Sequence, residues 1–173
     1  LFGDMKYPPG FTHFEYVDPS APKGGAIHFA FVGNFDNLNP FILKGVAAVN
    51  AAQPFDSLLA TALDEPDTAY GLIAQSVELA DDRSWVRFAL NPNARWHDGT
   101  AITADDVVFT FETLMTKGHP SYRILYGDVA GVEKLSPRDV EFRIGNTENR
   151  KLPLLIGGLQ IISRAYFAAH EFD

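Results

Sequence analysis

The sequence has no cysteine, and this absence excludes disulfides, thiolate metal sites and a cysteine nucleophile. It also has no apolar run of membrane-spanning length, so we expect no membrane insertion. Basic residues are few: 14 Lys and Arg against 22 Asp and Glu give a net charge of −8, without a basic cluster. Nucleic acid is therefore not an expected partner. Because the nucleophile elbow, P-loop and dinucleotide fingerprint are missing too, we expect no cofactor and no catalytic residue.

The strongest local signal that is present is a helix start. Thr103, followed three residues later by Asp106, predicts a capping box. Apolar residues then recur at helical spacing and predict one buried stripe: Val107, Val108, Phe111, Leu114 and Met115. Since Pro120 forbids continuation, we expect a helix from about 104 to 117. Phe109 falls on the opposite face, where we expect a second layer to cover it, with contact to a ligand as the alternative.

Strand signals lie on both sides of this helix. The predicted antiparallel pairs are 72–79 with 85–90, and 129–135 with 140–144. In the second strand of each pair, apolar residues alternate with other residues, which indicates one buried face. Residues 151–162 form an apolar return segment, and Ser163 predicts the cap of a last helix running to Phe172.

The N-terminal part has weaker signals. Residues 1–24 are rich in proline and aromatics, which favours an extended arm laid over a surface. Residues 27–32 are nearly all apolar and predict a strand covered on both faces. Residues 55–63 fit either a helix or a strand. Together the elements predict an α+β fold. Because the first strand needs neighbours that are not obvious here, we expect a piece of a larger protein.

Several acidic residues and one histidine are candidates for metal binding or catalysis, but turns and a helix cap explain them better. His97 and Asp98 lack the further ligands of a zinc or iron site, and Asp98 before a glycine is typical of a turn. The acidic stretch 64–67 fits a solvated turn better than a calcium loop. The pairs at 81–82 and 105–106 are explained by a turn and a helix cap. A secreted hydrolase that uses paired carboxylates stays open as an alternative.

The loop after the predicted first strand is the candidate ligand-binding site. Ligands of α/β sheets bind outside the carboxyl ends of strands, and this loop leaves such an end. Amide side chains donate and accept hydrogen bonds, which suits a peptide backbone or a sugar, and Phe35 could pack on apolar groups. An asparagine-rich turn without a ligand is the open alternative. The predicted ligand-binding residues are Gly33, Asn34, Phe35, Asp36 and Asn37, within the loop 33–39.

Several short motifs, taken in order, resemble the family 5 extracellular solute-binding proteins, which are the peptide-binding components of bacterial ABC importers. These motifs are Pro22-Lys23-Gly24-Gly25, Asn39-Pro40, Ala74-Gln75-Ser76-Val77-Glu78, Asp82-Arg83-Ser84-Trp85, Ala94-Arg95-Trp96-His97-Asp98-Gly99 and Thr103-Ala104-Asp105-Asp106-Val107-Val108-Phe109. The opening, with Lys6-Tyr7-Pro8-Pro9, and the stretch 39–45 resemble the YejA-like branch. The resemblance runs along essentially the whole chain.

The resemblance implies a two-lobed Venus-flytrap protein of the Gram-negative periplasm, with its signal peptide removed and no enzymatic activity. Residues 1–45 would start lobe I, residues 46–150 would form an inserted α+β subdomain, and residues 151–173 would return to lobe I. Lobe II would lie in the remainder of the polypeptide. The implied partners are an oligopeptide or peptide-like ligand and an inner-membrane ABC permease. An opine or an oligosaccharide is the alternative ligand.

Overall fold

The structure, a computed structural model, describes residues 5–172, which contain two antiparallel sheets and four helices. The strands are β1 (Leu59–Thr61), β2 (Ala69–Gly71), β3 (Ala74–Leu79), β4 (Trp85–Leu90), β5 (Val129–Lys134) and β6 (Asp139–Ile144). The helices are α1 (Ala104–Thr116), α2 (Ser121–Leu125), α3 (Leu152–Gly157) and α4 (Arg164–Ala169). One sheet pairs β1 with β2, and the other has the order β3-β4-β6-β5. The expected α+β class is confirmed.

The four-stranded sheet is built from two hairpins that meet at its centre. Both predicted pairs form, β3 with β4 and β5 with β6, in antiparallel register. The central contact pairs β4 with β6, so that Phe88 lies opposite Val140 and Val86 opposite Phe142. Alternate residues of these strands are buried and form the face that packs against α1: Val86, Phe88, Leu90, Val140, Phe142 and Ile144.

Helix α1 begins at the predicted residue because its capping box forms. The backbone N–H of Thr103 donates to Asp106 Oδ2 at 2.9 Å. Val107 and Leu114 are buried in the core, as the apolar stripe predicted. At the far end, a Cβ on Gly118 would lie 2.5 Å from the carbonyl oxygen of Leu114, so this close turn needs glycine. The ring of Phe109 stacks on Phe167 of α4, which confirms the expected covering layer.

The return segment crosses back to α1 and closes the core. Its apolar residues are buried in the same cluster as the sheet: Leu152, Ile156, Leu159, Ile161 and Ile162. Ser163 caps α4 as predicted, because its Oγ accepts from the N–H of Tyr166 at 3.1 Å. The helix ends at Ala169 rather than at Phe172.

The predicted strand at 27–32 is wrong for the described part of the chain. These residues pair with no described strand and are all exposed, Ile27 by 75% and Phe29 by 62% of their surface. A strand buried on both faces requires neighbours on both sides, and residues 5–172 place none there. The ambiguous stretch 55–63 contains only the short β1, while β2 and α2 had no clear signal in the sequence.

The predicted arm does lie over a surface. Tyr7 is buried, and its ring contacts Phe11, Phe14 and Tyr70, so the start of the arm rests on the β1–β2 hairpin. The first four residues of the predicted arm lie outside the described residues. Within 5–172, the helices are all too short or too polar to pass through a bilayer.

Candidate ligand-binding loop

The loop 33–39 is fastened at its end to the chain that follows it. Asp36 Oδ1 accepts from the N–H of Val46 at 2.7 Å, and the N–H of Asp36 donates to the carbonyl of Val46 at 3.0 Å. Asn37 forms an isolated parallel bridge with Ala47, and its carbonyl accepts from the N–H of Ala48 at 2.9 Å. Residues 36–37 therefore have a fixed position relative to 46–48.

Two of the three asparagine side chains serve this fastening. Asn37 Nδ2 donates to the carbonyl of Lys44 at 2.9 Å, and Asn37 Oδ1 accepts from the N–H of Asn39. Asn39 Nδ2 donates to the carbonyl of Phe172 at 2.5 Å, and its Oδ1 accepts from the N–H of Phe41. These amides are satisfied by the protein's own backbone, as the alternative of an asparagine-rich turn predicts for them.

Gly45 makes the fastening possible. It has φ +78°, which L side chains rarely adopt, and a Cβ there would collide with Asp36 Oδ1 and lie 2.5 Å from Asn37 Nδ2. The close approach of Asp36 and Asn37 to the backbone at residue 45 thus depends on the missing side chain.

The beginning of the loop is open to solvent. Gly33 and Asn34 are exposed, Phe35 exposes 62% of its surface, and a Cβ on Gly33 would meet no atom within 4 Å. The five predicted residues therefore divide into two groups. Gly33, Asn34 and Phe35 are exposed, whereas Asp36 and Asn37 are hydrogen-bonded to the backbone of residues 44–48.

A concavity with a volume of about 520 Å³ adjoins the end of this loop. Leu38 and Asn39 form part of its wall. The aromatic residues that line it come from distant segments: Phe41, Phe55, Trp96, Tyr166, Phe167 and Phe172. Besides Asn39, its polar lining residues are His97, Asp98, Ser163 and Glu171. Sequence reasoning missed this concavity, because no motif connects aromatic residues that only the fold brings together.

Asp98, which follows His97 in the sequence, forms a turn at the edge of the concavity. Asp98 Oδ1 accepts from the N–H of Thr100 at 2.8 Å and from its hydroxyl at 2.6 Å. These bonds hold the pKa of Asp98 below its usual value. The turn interpretation of Asp98 is confirmed. Among residues 5–172, we find no group of three or more His, Cys, Asp or Glu side chains placed to hold a metal ion.

Three residues of the acidic pairs, Asp82, Asp105 and Asp106, have structural partners. Asp82 Oδ1 accepts from the N–H of Ser84 at 3.0 Å, and hydrogen bonds from the Ser84 hydroxyl and N–H lower the pKa of Asp82. Asp105 pairs with Lys134 at 2.6 Å, while Asp106 caps α1. A general acid at neutral pH needs a raised pKa, so the lowered pKa of Asp82 disfavours that role.

The acidic turn at 64–67 is more than a solvated turn. Asp64 Oδ2 accepts from Lys6 Nζ at 2.7 Å, and Glu65 Oε2 accepts from the hydroxyl of Tyr70 at 2.5 Å. The expectation of a merely solvated turn is corrected here: the carboxylates bind the N-terminal arm and the hairpin. They do so because the fold brings Lys6 and Tyr70 to the turn.

Known proteins resemble this chain in sequence and in fold. The family profile described as "Bacterial extracellular solute-binding proteins, family 5 Middle" matches residues 68–171. The peptidoglycan-binding protein YepA of Agrobacterium fabrum is 42% identical over 164 residues, which are 90% of this chain and 27% of that relative. The probable peptide-binding protein YejA of the same organism is 36% identical over 165 residues, 95% of this chain and 27% of the relative.

A similar fold occurs in NikZ from Campylobacter jejuni, solved in complex with Ni(L-His). The TM-score is 0.63 at 21% identity, over 81% of this chain and 28% of NikZ. Such an identity shows the fold alone, and this mixed α+β structure is part of a two-lobed binding-protein fold. The chain spans about a quarter of the length of the relatives it matches. The profile covers most of the chain, and with its YejA-like relatives it leads to one assignment: this chain belongs to the bacterial extracellular solute-binding proteins of family 5 and is YejA-like.

Proposed function

We propose that the whole protein is the periplasmic binding component of an ABC importer in a Gram-negative bacterium, and that it binds oligopeptides or peptide-like compounds. Membership of the family supports a binding component, and the names of the two Agrobacterium relatives support a peptide or a peptide-bearing ligand. The observation that carries the proposal is the family match over residues 68–171, together with the YejA-like relatives. The candidate contact is the loop, in which Asn34 and Phe35 are exposed beside Asp36.

The exposed half of the loop suits a peptide. The amide of Asn34 can donate to a peptide carbonyl and accept from a peptide N–H, and the ring of Phe35 offers apolar surface to a ligand side chain. The hydrogen bonds of Asp36 and Asn37 fix the point at which these exposed residues join the fold. The aromatic concavity next to Leu38 offers space for a bulky apolar group of the same ligand.

We propose the following lobe arrangement. Residues 1–45 begin lobe I, residues 46–150 form an inserted subdomain, residues 151–173 return to lobe I, and lobe II belongs to the remainder of the polypeptide. A ligand that contacts both lobes only in the closed state shifts the population toward closure. The closed form would then dock on the inner-membrane permease. The exposed apolar residues 27–32 would be covered by lobe I elements supplied by that remainder.

No catalysis belongs to this proposal. The carboxylates at 82, 105 and 106 are engaged by a turn, an ion pair and a helix cap, respectively. A hydrolase needs an acid with a raised pKa and a free base or nucleophile facing one substrate. A secreted hydrolase is the alternative function, and the first experiment below distinguishes it from a binding protein.

The first experiment measures the ligand itself. The full-length polypeptide is purified under native conditions and its co-purified small molecules are identified by mass spectrometry, followed by thermal unfolding with a synthetic tetrapeptide pool. Peptides recovered unchanged, together with a raised Tm, support the proposal. Cleaved peptides defeat it. An opine or oligosaccharide bound instead would keep the binding-protein class and replace the ligand.

The second experiment tests the loop. In the full-length polypeptide, Asn34→Ala with Phe35→Ala should weaken binding of the best tetrapeptide by about tenfold or more, as loss of a hydrogen bond and an apolar contact predicts. Asn93→Ala with Ile124→Ala is the matched control, because both residues are exposed and lie outside the loop. Equal affinity in the two double variants would remove the loop from the site.

A further inference from the structure

A small aromatic cluster lies apart from the main core. Tyr7, Ala62 and Tyr70 are buried in it, and Phe11 and Phe14 pack against them. The ring of Tyr7 lies 5.1 Å from Phe11, 5.1 Å from Phe14 and 5.5 Å from Tyr70, measured between centroids. The arm thus has its own apolar contact with the β1–β2 hairpin.

Two carboxylates of the neighbouring turn hold the arm by its polar groups. Asp64 Oδ2 accepts from Lys6 Nζ at 2.7 Å and from the Tyr7 hydroxyl at 2.5 Å. Glu65 Oε1 accepts from the N–H of Lys6 at 3.0 Å, and its Oε2 accepts from the Tyr70 hydroxyl, which itself accepts from the N–H of Tyr7. The arm also ties itself together, because Lys6 Nζ lies 2.8 Å from Glu15.

We propose that residues 6–17 form a strap that opens and closes on the hairpin as a unit separate from the main core, with Asp64 and Glu65 as its latch. The inference concerns conformational order, and it does not depend on the ligand proposed above. Proteins open locally in cooperative units whose free energies differ, and a unit with its own small core is suited to such opening.

The chain that follows the strap explains why it can open alone. Every residue from 15 to 26 is exposed, so opening the strap pulls none of these residues out of the main core. The chain then continues to the ligand-binding loop, where Asp36 bonds to the N–H of Val46. The closed strap therefore fixes the near end of the exposed segment 15–26.

The charged groups around the latch set its dependence on pH. Lys6 and Tyr7 face Asp64 from the strap and lower its pKa, while Tyr70 of β2, the Lys6 N–H and Thr68 lower that of Glu65. Glu15 faces Lys6 from the strap, and Asp67 of the same turn pairs with Lys151. The ordinary pKa values are 3.8 for Asp64 and 4.5 for Glu65, and both are lowered in the closed strap. The two carboxylates therefore stabilise the closed strap fully when the pH is above these ordinary values. This stabilisation is lost as the pH falls through the lowered pKa values.

At high pH the relevant groups are the hydroxyls of Tyr7 and Tyr70. The pKa values of Tyr7 and Tyr70 are raised above 10.0 by burial first and by their carboxylate bonds second, so their contribution is complete below 10.0 and lost only above it. The contribution of the latch is thus complete at neutral pH and weakens in acid.

The test compares hydrogen exchange in two parts of the full chain at neutral pH. The double variant Asp64→Asn, Glu65→Gln keeps the shape of the latch but removes both charges. We expect its strap amides at Tyr7, Phe11, Glu15 and Val17 to exchange about tenfold or more faster, with α1 unchanged. Asp67→Asn is the matched control, since Asp67 lies in the same turn and pairs with Lys151 instead of the arm.

A second variant separates the hydroxyl from the ring. Tyr7→Phe removes the bonds to Asp64 and from Glu15 but keeps the aromatic packing, so it should accelerate strap exchange by less than the double variant. If the strap and α1 lose protection together, or if strap exchange is unchanged in the double variant, the proposal is overturned.

Discussion

Thr110 Oγ1 accepts a hydrogen bond from the backbone N–H of Ile162 at 3.0 Å, although the two residues are 52 positions apart. The same hydroxyl donates to the carbonyl of Asp106 at 2.6 Å. Both Thr110 and Ile162 are fully buried. This one side chain therefore joins α1 to the return segment, at a place where an unpaired N–H has no access to water.

Replacing the Thr110 hydroxyl tests this connection between α1 and the return segment. Thr110→Val keeps the shape but leaves the N–H of Ile162 without a partner, which should lower the free energy of unfolding by about 1–3 kcal/mol. Urea denaturation measures the change. Thr116→Val is the control, because its hydroxyl also bonds a carbonyl of α1 but is exposed, and it should cost less than about 0.5 kcal/mol. Equal losses in both variants would contradict the assignment.

The cap of α1 should matter more than its neighbouring ion pairs. Asp106 is buried and accepts from the N–H groups of Thr103 and Arg164, so Asp106→Ala should lower the free energy of unfolding by about 2 kcal/mol. Asp105→Ala removes half-exposed pairs with Lys134 and Arg164, and should cost less than about 1 kcal/mol. Thermal and urea unfolding of the two variants provide the comparison, and the reverse order would show that the cap is not the stronger contact.

Gly45→Ala should loosen the ligand-binding loop. The variant combines backbone strain at φ +78° with a collision against Asp36 and Asn37. We expect it to destabilise the protein by about 1–3 kcal/mol and to speed hydrogen exchange at the N–H groups of Val46 and Ala48. Gly99→Ala isolates the strain, because Gly99 has φ +86° but no atom within 4 Å of its Cβ position. If both variants lose the same free energy of unfolding, the collision with Asp36 and Asn37 contributes nothing and the prediction is wrong.

The exposed apolar residues 27–32 should make this chain bind apolar dyes. Phe29 and Phe31 expose 62% and 58% of their surfaces within one short run, which is the kind of patch that associates in solution. Phe29→Ser with Phe31→Ser should reduce dye fluorescence and light scattering without changing the urea midpoint. Ile124→Ser, a lone exposed residue on α2, should leave dye binding unchanged. A lowered urea midpoint in the double variant would mean that the phenylalanines are packed.

Elements governed by neighbours in sequence were predicted well. The capping box at Thr103 fixed the start of α1, because its bonds join residues three positions apart. The turns at 81–84 and 136–139 joined the predicted strands into hairpins for the same reason. Asp98 was correctly interpreted as a turn residue, since its partner Thr100 is two positions away.

Contacts between distant segments could not be predicted in this way. The segment 27–32 has the composition of a buried strand, but pairing depends on neighbours that residues 5–172 do not provide. The wall of the concavity combines Phe41, Trp96 and Tyr166, which no local pattern connects. In the candidate loop, composition made Asn34 and Asn37 equivalent. Only the approach of Lys44 showed that the Asn37 amide is already used.

The sequence by itself determined the helix, the two hairpins, the capping role of Asp106 and the family resemblance, because each depends on spacing along the chain. The tertiary structure alone decided that β4 pairs with β6, that Asp64 and Glu65 hold the arm, and that the Asn37 side chain bonds to backbone while Asn34 and Phe35 face solvent. The physical reason is that hydrogen-bond satisfaction and burial depend on which distant groups meet, and a pattern of residue types does not specify those meetings.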